Sequence, residues 1–195
     1  MDSFWIYAQL GFEHISDLAG YDHILFVVVL CAVYRISQWR KILILVTAFT
    51  IGHSITLVLS SLKIISLQQE ITEFFIPVTI FLTAIYNIWK GETKSGNSNT
   101  VTFHYLLALF VGFIHGMGFS NFFSSLFGSV EDILLPLFAF NVGLEIGQLL
   151  IVGVIMLASY LALNLAKVKF QYWNWMVSGI ASIISLKMIW ERVFW

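Results

Sequence analysis

The stretch ILLPLFAFNVGLEIGQLLIVGVIMLASYLAL, Ile133 to Leu163, contains one charged residue, Glu145, in thirty-one positions. A membrane-spanning helix needs ~20 mostly apolar residues, so this stretch reads as a span with length to spare. As one continuous helix it would be ~46 Å long, and it must therefore tilt, bend or project from the bilayer. The whole chain has the same character. Of its 195 residues, 59% are hydrophobic and 11% charged, against roughly 25% charged in a soluble domain. So few charges cannot cover a soluble surface, and such high hydrophobicity excludes disorder. The net charge of -1 gives no basic footprint for nucleic acid. One cysteine, Cys31, excludes a disulfide framework, a thiolate zinc finger and an iron–sulfur cluster of the chain's own.

The spacing predicts one all-α integral membrane domain, 1–195, a polytopic bundle of about six transmembrane helices. The spans fall at about 20–36, 41–62, 70–90, 102–121, 133–164 and 171–192, after an amphipathic interfacial helix at 4–18. The first is short unless Asp22 and His23 lie within it. A polar linker, 92–100, and an aromatic, Ser-rich loop, 120–132, separate spans. The loops holding Arg35, Arg40, Lys41, Lys90, Lys94, Lys167 and Lys169 alternate onto one side and carry seven of the ten Lys/Arg residues. Lys63, Lys187 and Arg192 fall on the other side, with Asp2, Glu13, Asp17, Glu70, Glu73, Glu131 and Asp132. The positive-inside rule then puts both termini outside, in a bacterial inner membrane. Trp39, Trp89, Trp173 and Trp175 fall at inner ends, and Trp5, Trp190 and Trp195 at outer ends, as an aromatic belt. The N-terminus has no cationic signal region, so no cleavage is expected. Cys31 reads as a small apolar filler and the Phe-rich segments as lipid-facing mass.

Ionisable groups within spans are costly unless paired or hydrated, so each raises a functional question. Asp22 and His23 open the first span, His53 lies in the second, His115 in the fourth, and Glu145 in the fifth. His53 and His115 each sit ~18 Å along their helices from the inner end. Glu145 is ~18 Å from Ile133 but ~33 Å from Lys167 by the same rise, which leaves its depth open. Asn141, Glu145 and Gln148 share one helical face, as do His14 and Asp17. Gly112 and Gly116 flank His115, and Gly143 and Gly147 flank Glu145. Small residues four apart let helices approach closely, within one chain or between chains, so a homo-oligomer stays open. Imidazole with carboxylate suits first-row transition metals. The expected ligands are His14, Asp22, His23, His53, His115 and Glu145, supported by Asp17, Thr50, Ser54, Asn141 and Gln148. An intramembrane histidine can also serve only as a hydrogen bond between helices, the reading preferred for His104.

Four ordered segments resemble motifs of the HupE/UreJ family of membrane proteins. They are Gly11-Phe-Glu-His14 with Gly20-Tyr-Asp-His-Ile-Leu-Phe26, then Thr47-Ala-Phe-Thr-Ile-Gly-His-Ser-Ile-Thr-Leu57. The later two are Gly112-Phe-Ile-His-Gly-Met-Gly-Phe119 and Phe140-Asn-Val-Gly-Leu-Glu-Ile-Gly-Gln148. The family motif His-Pro-x-x-Gly-x-Asp-His is matched in its second half by Gly20, Asp22 and His23. Ser16 and Asp17 stand where its His-Pro would be, and His14, two residues earlier, is expected to take its place. The resemblance implies a nickel or cobalt permease tied to hydrogenase or urease maturation.

The expected function is thus a divalent transition-metal transporter or membrane metal-binding protein, with nickel, cobalt or zinc as the ion. Glu145 could couple ion release to protonation, because burial raises a carboxylate's pKa. There is no Walker motif for ATP hydrolysis. The alternative is an intramembrane zinc-dependent hydrolase, in which three histidines activate a water; the sequence has neither His-Glu-x-x-His nor Gly-x-Ser-x-Gly. A third class is a scaffold whose polar residues only join helices.

Overall fold

The computed structural model describes residues 3–62, 64–65, 68–92, 98–125 and 134–193. Asp2, Lys63, Lys94, Glu131, Asp132 and Trp195, which entered the topological reading, lie outside the described residues, as does 126–132 of the expected loop. The described residues form helices joined by turns and short connections, with no strand among them. Helix α1 is Ser3–Ser16, α2 Asp22–Cys31, α3 Trp39–Ser61, α4 Gln69–Lys90, α5 Ser98–Ser125, α6 Leu134–Tyr160 and α7 Phe170–Glu191. A 3-10 turn, Ile36–Gln38, leads into α3. The helix of α5 runs on to Ser125, so residues 120–125 extend a helix where a loop was expected.

Among the described residues, four segments are long and apolar enough to cross a membrane: Ile36–Ser60, Gln69–Lys90, Thr102–Phe119 and Leu134–Leu165. Helix α7 matches them in length, but Asn174, Ser178, Ser182 and Ser185 form a buried polar face that lowers its hydropathy. Helix α2 has ten residues, only ~15 Å, and cannot cross a bilayer alone. It begins at Asp22, whose carboxylate suits the positive end of the helix dipole. The long stretch after Ile133 stays helical past α6 through a π turn, Leu161–Leu165. There the Ala166 N–H donates to the Leu161 carbonyl at 2.9 Å. Lys167, at φ 56°, then reverses the chain.

Two helix pairs pack backbone against backbone. In the first, Gly52 faces the Leu109 carbonyl, Gly112 the Phe49 carbonyl and Gly116 the His53 carbonyl, so α3 and α5 run side by side in parallel. A Cβ on Gly116 would lie 2.6 Å from the His53 carbonyl. Thr56 Oγ1 also donates across this pair to the Phe113 carbonyl at 3.1 Å. In the second pair, Gly11 faces the Phe140 carbonyl and Gly143 the Ala8 carbonyl. Phe4 meets Phe138 at one end of this contact, and Ile15 and Phe12 meet Gly147 at the other. Helix α1, expected as an interfacial helix, therefore lies lengthwise on α6. The reason is its small-residue face, Ala8 and Gly11, which admits α6 to backbone distance.

Phe26, Phe49, Phe140, Tyr34, Leu45, Ile80 and Leu144 fill the core between these pairs. Phe26, Phe49 and Phe140 are thus interior. Trp89 (81% exposed) and Trp190 (78%) keep the exposure a lipid belt needs, whereas Trp173 (5%) packs inside against Ala32 and Val177. Around Trp173, α4 and α7 share a polar seam. Asn87 Nδ2 donates to the Val29 carbonyl at 2.8 Å, and Asn174 Nδ2 donates to the Asn87 carbonyl at 2.7 Å. Ser178 Oγ then donates to Asn174 Oδ1 at 3.0 Å. Nearby, Arg35 pairs with Glu92 and covers the Phe170 ring at 5.0 Å. Hydrogen bonding to Glu92 raises the Arg35 pKa further.

Candidate metal centre

The histidines come from four helices. His14 is carried by the last turn of α1 and His23 by the first turn of α2. His53 comes from the middle of α3, and His115 from α5. Their juxtaposition follows from the glycine contacts, because Gly116 rests on the His53 carbonyl and Gly112 one turn away on that of Phe49. Ring centroids are 4.7 Å apart for His14 and His23, 4.9 Å for His23 and His115, 5.8 Å for His14 and His53, and 6.2 Å for His23 and His53. His14, His23 and His53 can each offer a ring nitrogen within 4.8 Å of the other two.

The hydrogen bonding is lopsided in a way that suits a ligand set. Asp22 Oδ1 lies 2.9 Å from His23 Nδ1. His115 Nδ1 lies 3.0 Å from the Val111 carbonyl. Each of these bonds holds the ring through one nitrogen and leaves Nε2 with a free lone pair, the usual arrangement behind a metal ligand. Five ring nitrogens of the cluster are buried without a hydrogen-bond partner, Nε2 of His14, His23 and His115 and both nitrogens of His53; His104 Nε2, away from the cluster, is a sixth. Unpaired buried polar atoms are expensive, and here five of them share one location.

Phenylalanines wall the cluster. Phe119 lies 3.9 Å from the His14 ring, Phe49 5.3 Å and Phe26 5.6 Å from His115, and Phe140 6.2 Å from His53. Such an apolar wall lowers the local dielectric and controls water access. A cleft of about 280 Å³ opens onto the cluster, lined by His14, His23 and His115 together with Asp17, Glu73 and Arg192. His53, fully buried, lies behind that lining.

The other expected residues lie elsewhere. Glu145 does not join the histidines; its Oε1 accepts from Thr47 Oγ1 at 2.6 Å. Thr47 is six residues, ~9 Å, along α3 from His53. Thr50 Oγ1 donates to Gln148 Oε1 at 2.8 Å, and Ser54 Oγ to the Thr50 carbonyl at 2.6 Å. Asn141 Oδ1 is buried without a partner. Asp17 lines the cleft and accepts the Ala19 N–H at 2.8 Å. His104 Nδ1 meets Tyr34 Oη at 2.6 Å, joining helix ends away from the cluster.

Sequence reasoning passed over the aromatic wall and Arg192. The wall had a signal: Phe49 precedes His53 by four residues, Phe119 follows His115 by four, and Phe26 follows His23 by three, each sharing a helical face with its histidine. Arg192 had none, because what matters is which groups it meets. Its Nη1 and Nη2 lie 3.4 and 3.5 Å from Asp22 Oδ2.

Comparison with known proteins agrees with this arrangement of motifs. Residues 1–193 match the family model described as HupE / UreJ protein. No curated protein and no solved structure matches. By that near-complete match, the chain belongs to the HupE/UreJ family.

Proposed function

We propose that this protein binds a divalent first-row transition metal ion at His14, His23, His53 and His115 and carries it across the membrane. The observation behind this reading is the set of five buried, unpartnered ring nitrogens gathered from four helices. A scaffold role leaves those nitrogens as an uncompensated cost. Asp22 is the carboxylate that orients His23, and Glu145 is left out of the ligand set. Membership of the HupE/UreJ family supports nickel or cobalt as the ion, in service of hydrogenase or urease maturation. Neutral imidazoles without thiolates are borderline ligands, suited to nickel, cobalt, copper and zinc, and compatible with release. We place the cleft on the outer side of a bacterial inner membrane with both termini outside, on the Lys/Arg distribution.

The test is metal analysis of the purified protein followed by uptake into liposomes, with His53→Ala plus His115→Ala as control. The wild-type protein is expected to bind nickel or cobalt and to fill liposomes faster than the double variant. Uptake no greater than the variant's for nickel, cobalt, zinc and copper ends the transport reading.

A further inference from the structure

Arg192 is the cation among the described residues that line the cleft, where Asp17, Asp22 and Glu73 supply carboxylates. Two contacts fix it. Both terminal nitrogens face Asp22 Oδ2, at 3.4 and 3.5 Å, and Nη1 also donates to the Glu73 carbonyl at 3.1 Å. The second contact has a cause in the sequence. Pro77 lies inside α4, and proline has no N–H, so the carbonyl four residues earlier loses its helical partner. That carbonyl is Glu73's. Arg192 takes the acceptor that Pro77 releases. Asp22 is thereby shared, with Oδ1 on His23 and Oδ2 on Arg192.

We propose that Arg192 sets the affinity of the histidine site: it neutralises Asp22 in the empty cleft and repels a dication held by the histidines, keeping binding weak enough for release. This inference rests on the proposed metal function. The bound ion and the guanidinium are separated by one carboxylate and one imidazole, in a pocket walled by phenylalanine where charges are poorly screened. Asp22 can support His23 without Arg192, since Oδ1 carries that bond. Loss of the guanidinium therefore leaves the ligands in place and removes a repulsion.

The experiment titrates cobalt into the full chain in detergent, reading the visible ligand-field bands and the heat of binding, and measures cobalt uptake in liposomes. Arg192→Gln is expected to bind roughly tenfold tighter, on Coulomb repulsion in a partly screened site. Its uptake is expected to show a lower KM and a lower maximal rate. Arg192→Lys restores the charge and is expected to return affinity toward wild type. Pro77→Ala gives Glu73's carbonyl its helical partner back and loosens the guanidinium; it is the second variant, expected to tighten binding about two- to threefold by the same reasoning. A damaged fold weakens binding, so tighter binding with slower turnover separates the charge effect from a structural one. Arg192→Gln and Pro77→Ala both at or below wild-type affinity overturn the inference, as does an Arg192→Lys chain that behaves like Arg192→Gln. A wild-type chain that binds no cobalt, nickel, zinc or copper overturns the proposed function itself.

Discussion

The histidine cluster and the α4–α7 seam are both polar, both buried and both built in apolar helices, yet their hydrogen bonding is opposite. In the seam the amides and hydroxyls are satisfied, Asn87 by Val29, Asn174 by Asn87 and Ser178, Ser182 by Ser178 and Ser185 by Ala181, and the Trp173 indole N–H is the one buried group there left open. Thr79 and Thr83 likewise donate to the carbonyls of Ile76 and Thr79. In the cluster, five ring nitrogens are left open. A buried polar group that closes its bonds within the protein joins helices. Open groups gathered in one place are what the proposed metal site needs. Polarity in a span is therefore an incomplete sign of function; single open groups occur elsewhere, at His104, Asn141, Gln148 and Trp173, and it is the gathering of five ring nitrogens that sets the cluster apart.

Removing side chains from each region puts that contrast at risk. The largest effect is expected for His53→Ala plus His115→Ala, a loss of metal affinity of a hundredfold or more with little or no loss of thermal stability, since unpaired groups are removed (on the order of 1–3 kcal/mol each to bury). Calorimetry and a thermal melt in detergent read both arms. A double variant that binds as before, or that melts far below wild type, breaks the distinction. Asp22→Asn keeps the shape but weakens the hold on His23, and a 10–100-fold loss of affinity is expected. Asn87→Ala reverses the pattern: stability falls by about 1–2 kcal/mol as the Val29 carbonyl loses its donor, while the metal isotherm does not move. Gly112→Ala forces α5 away from the Phe49 carbonyl at about 1–3 kcal/mol, and the accompanying shift of His115 shows in the cobalt spectrum. The smallest change is expected for Glu92→Gln, which breaks an exposed ion pair with Arg35 and costs about 0.5 kcal/mol, with metal binding untouched.

What could be read beforehand follows from periodicity and burial. His23, His53 and His115 stood out because an imidazole among apolar residues has few cheap explanations. The paired glycines stood out because their spacing puts both on one helical face; Gly112, Gly116 and Gly143 do meet backbone, and Gly147 meets the Ile15 side chain. The partner of Glu145, Thr47, was not legible, because counting ~1.5 Å per residue gives depth but not azimuth. The face of α6 that carries Gly143 and Gly147 turns to α1, and Glu145 turns to Thr47. Helix α2 looked longer because Ala32, Val33 and Tyr34 continue its apolar run, although the helix stops at Cys31. Arg192 was counted as a topological charge. Its link to Asp22 crosses 170 residues, and its link to Pro77 runs through a backbone carbonyl that no residue pattern displays.

The two glycine-tight pairs have a mechanical consequence. Where backbones touch, there is no side-chain cushion to deform, so α3 with α5 and α1 with α6 each move as a single plate. His53 and His115 ride on one plate and His14 on the other, with His23 on the short α2 between them. On the proposed function, an ion held by all four would be a rivet through both plates, and its departure would free one to slide against the other. Strength of binding and freedom of motion are then two readings of one joint.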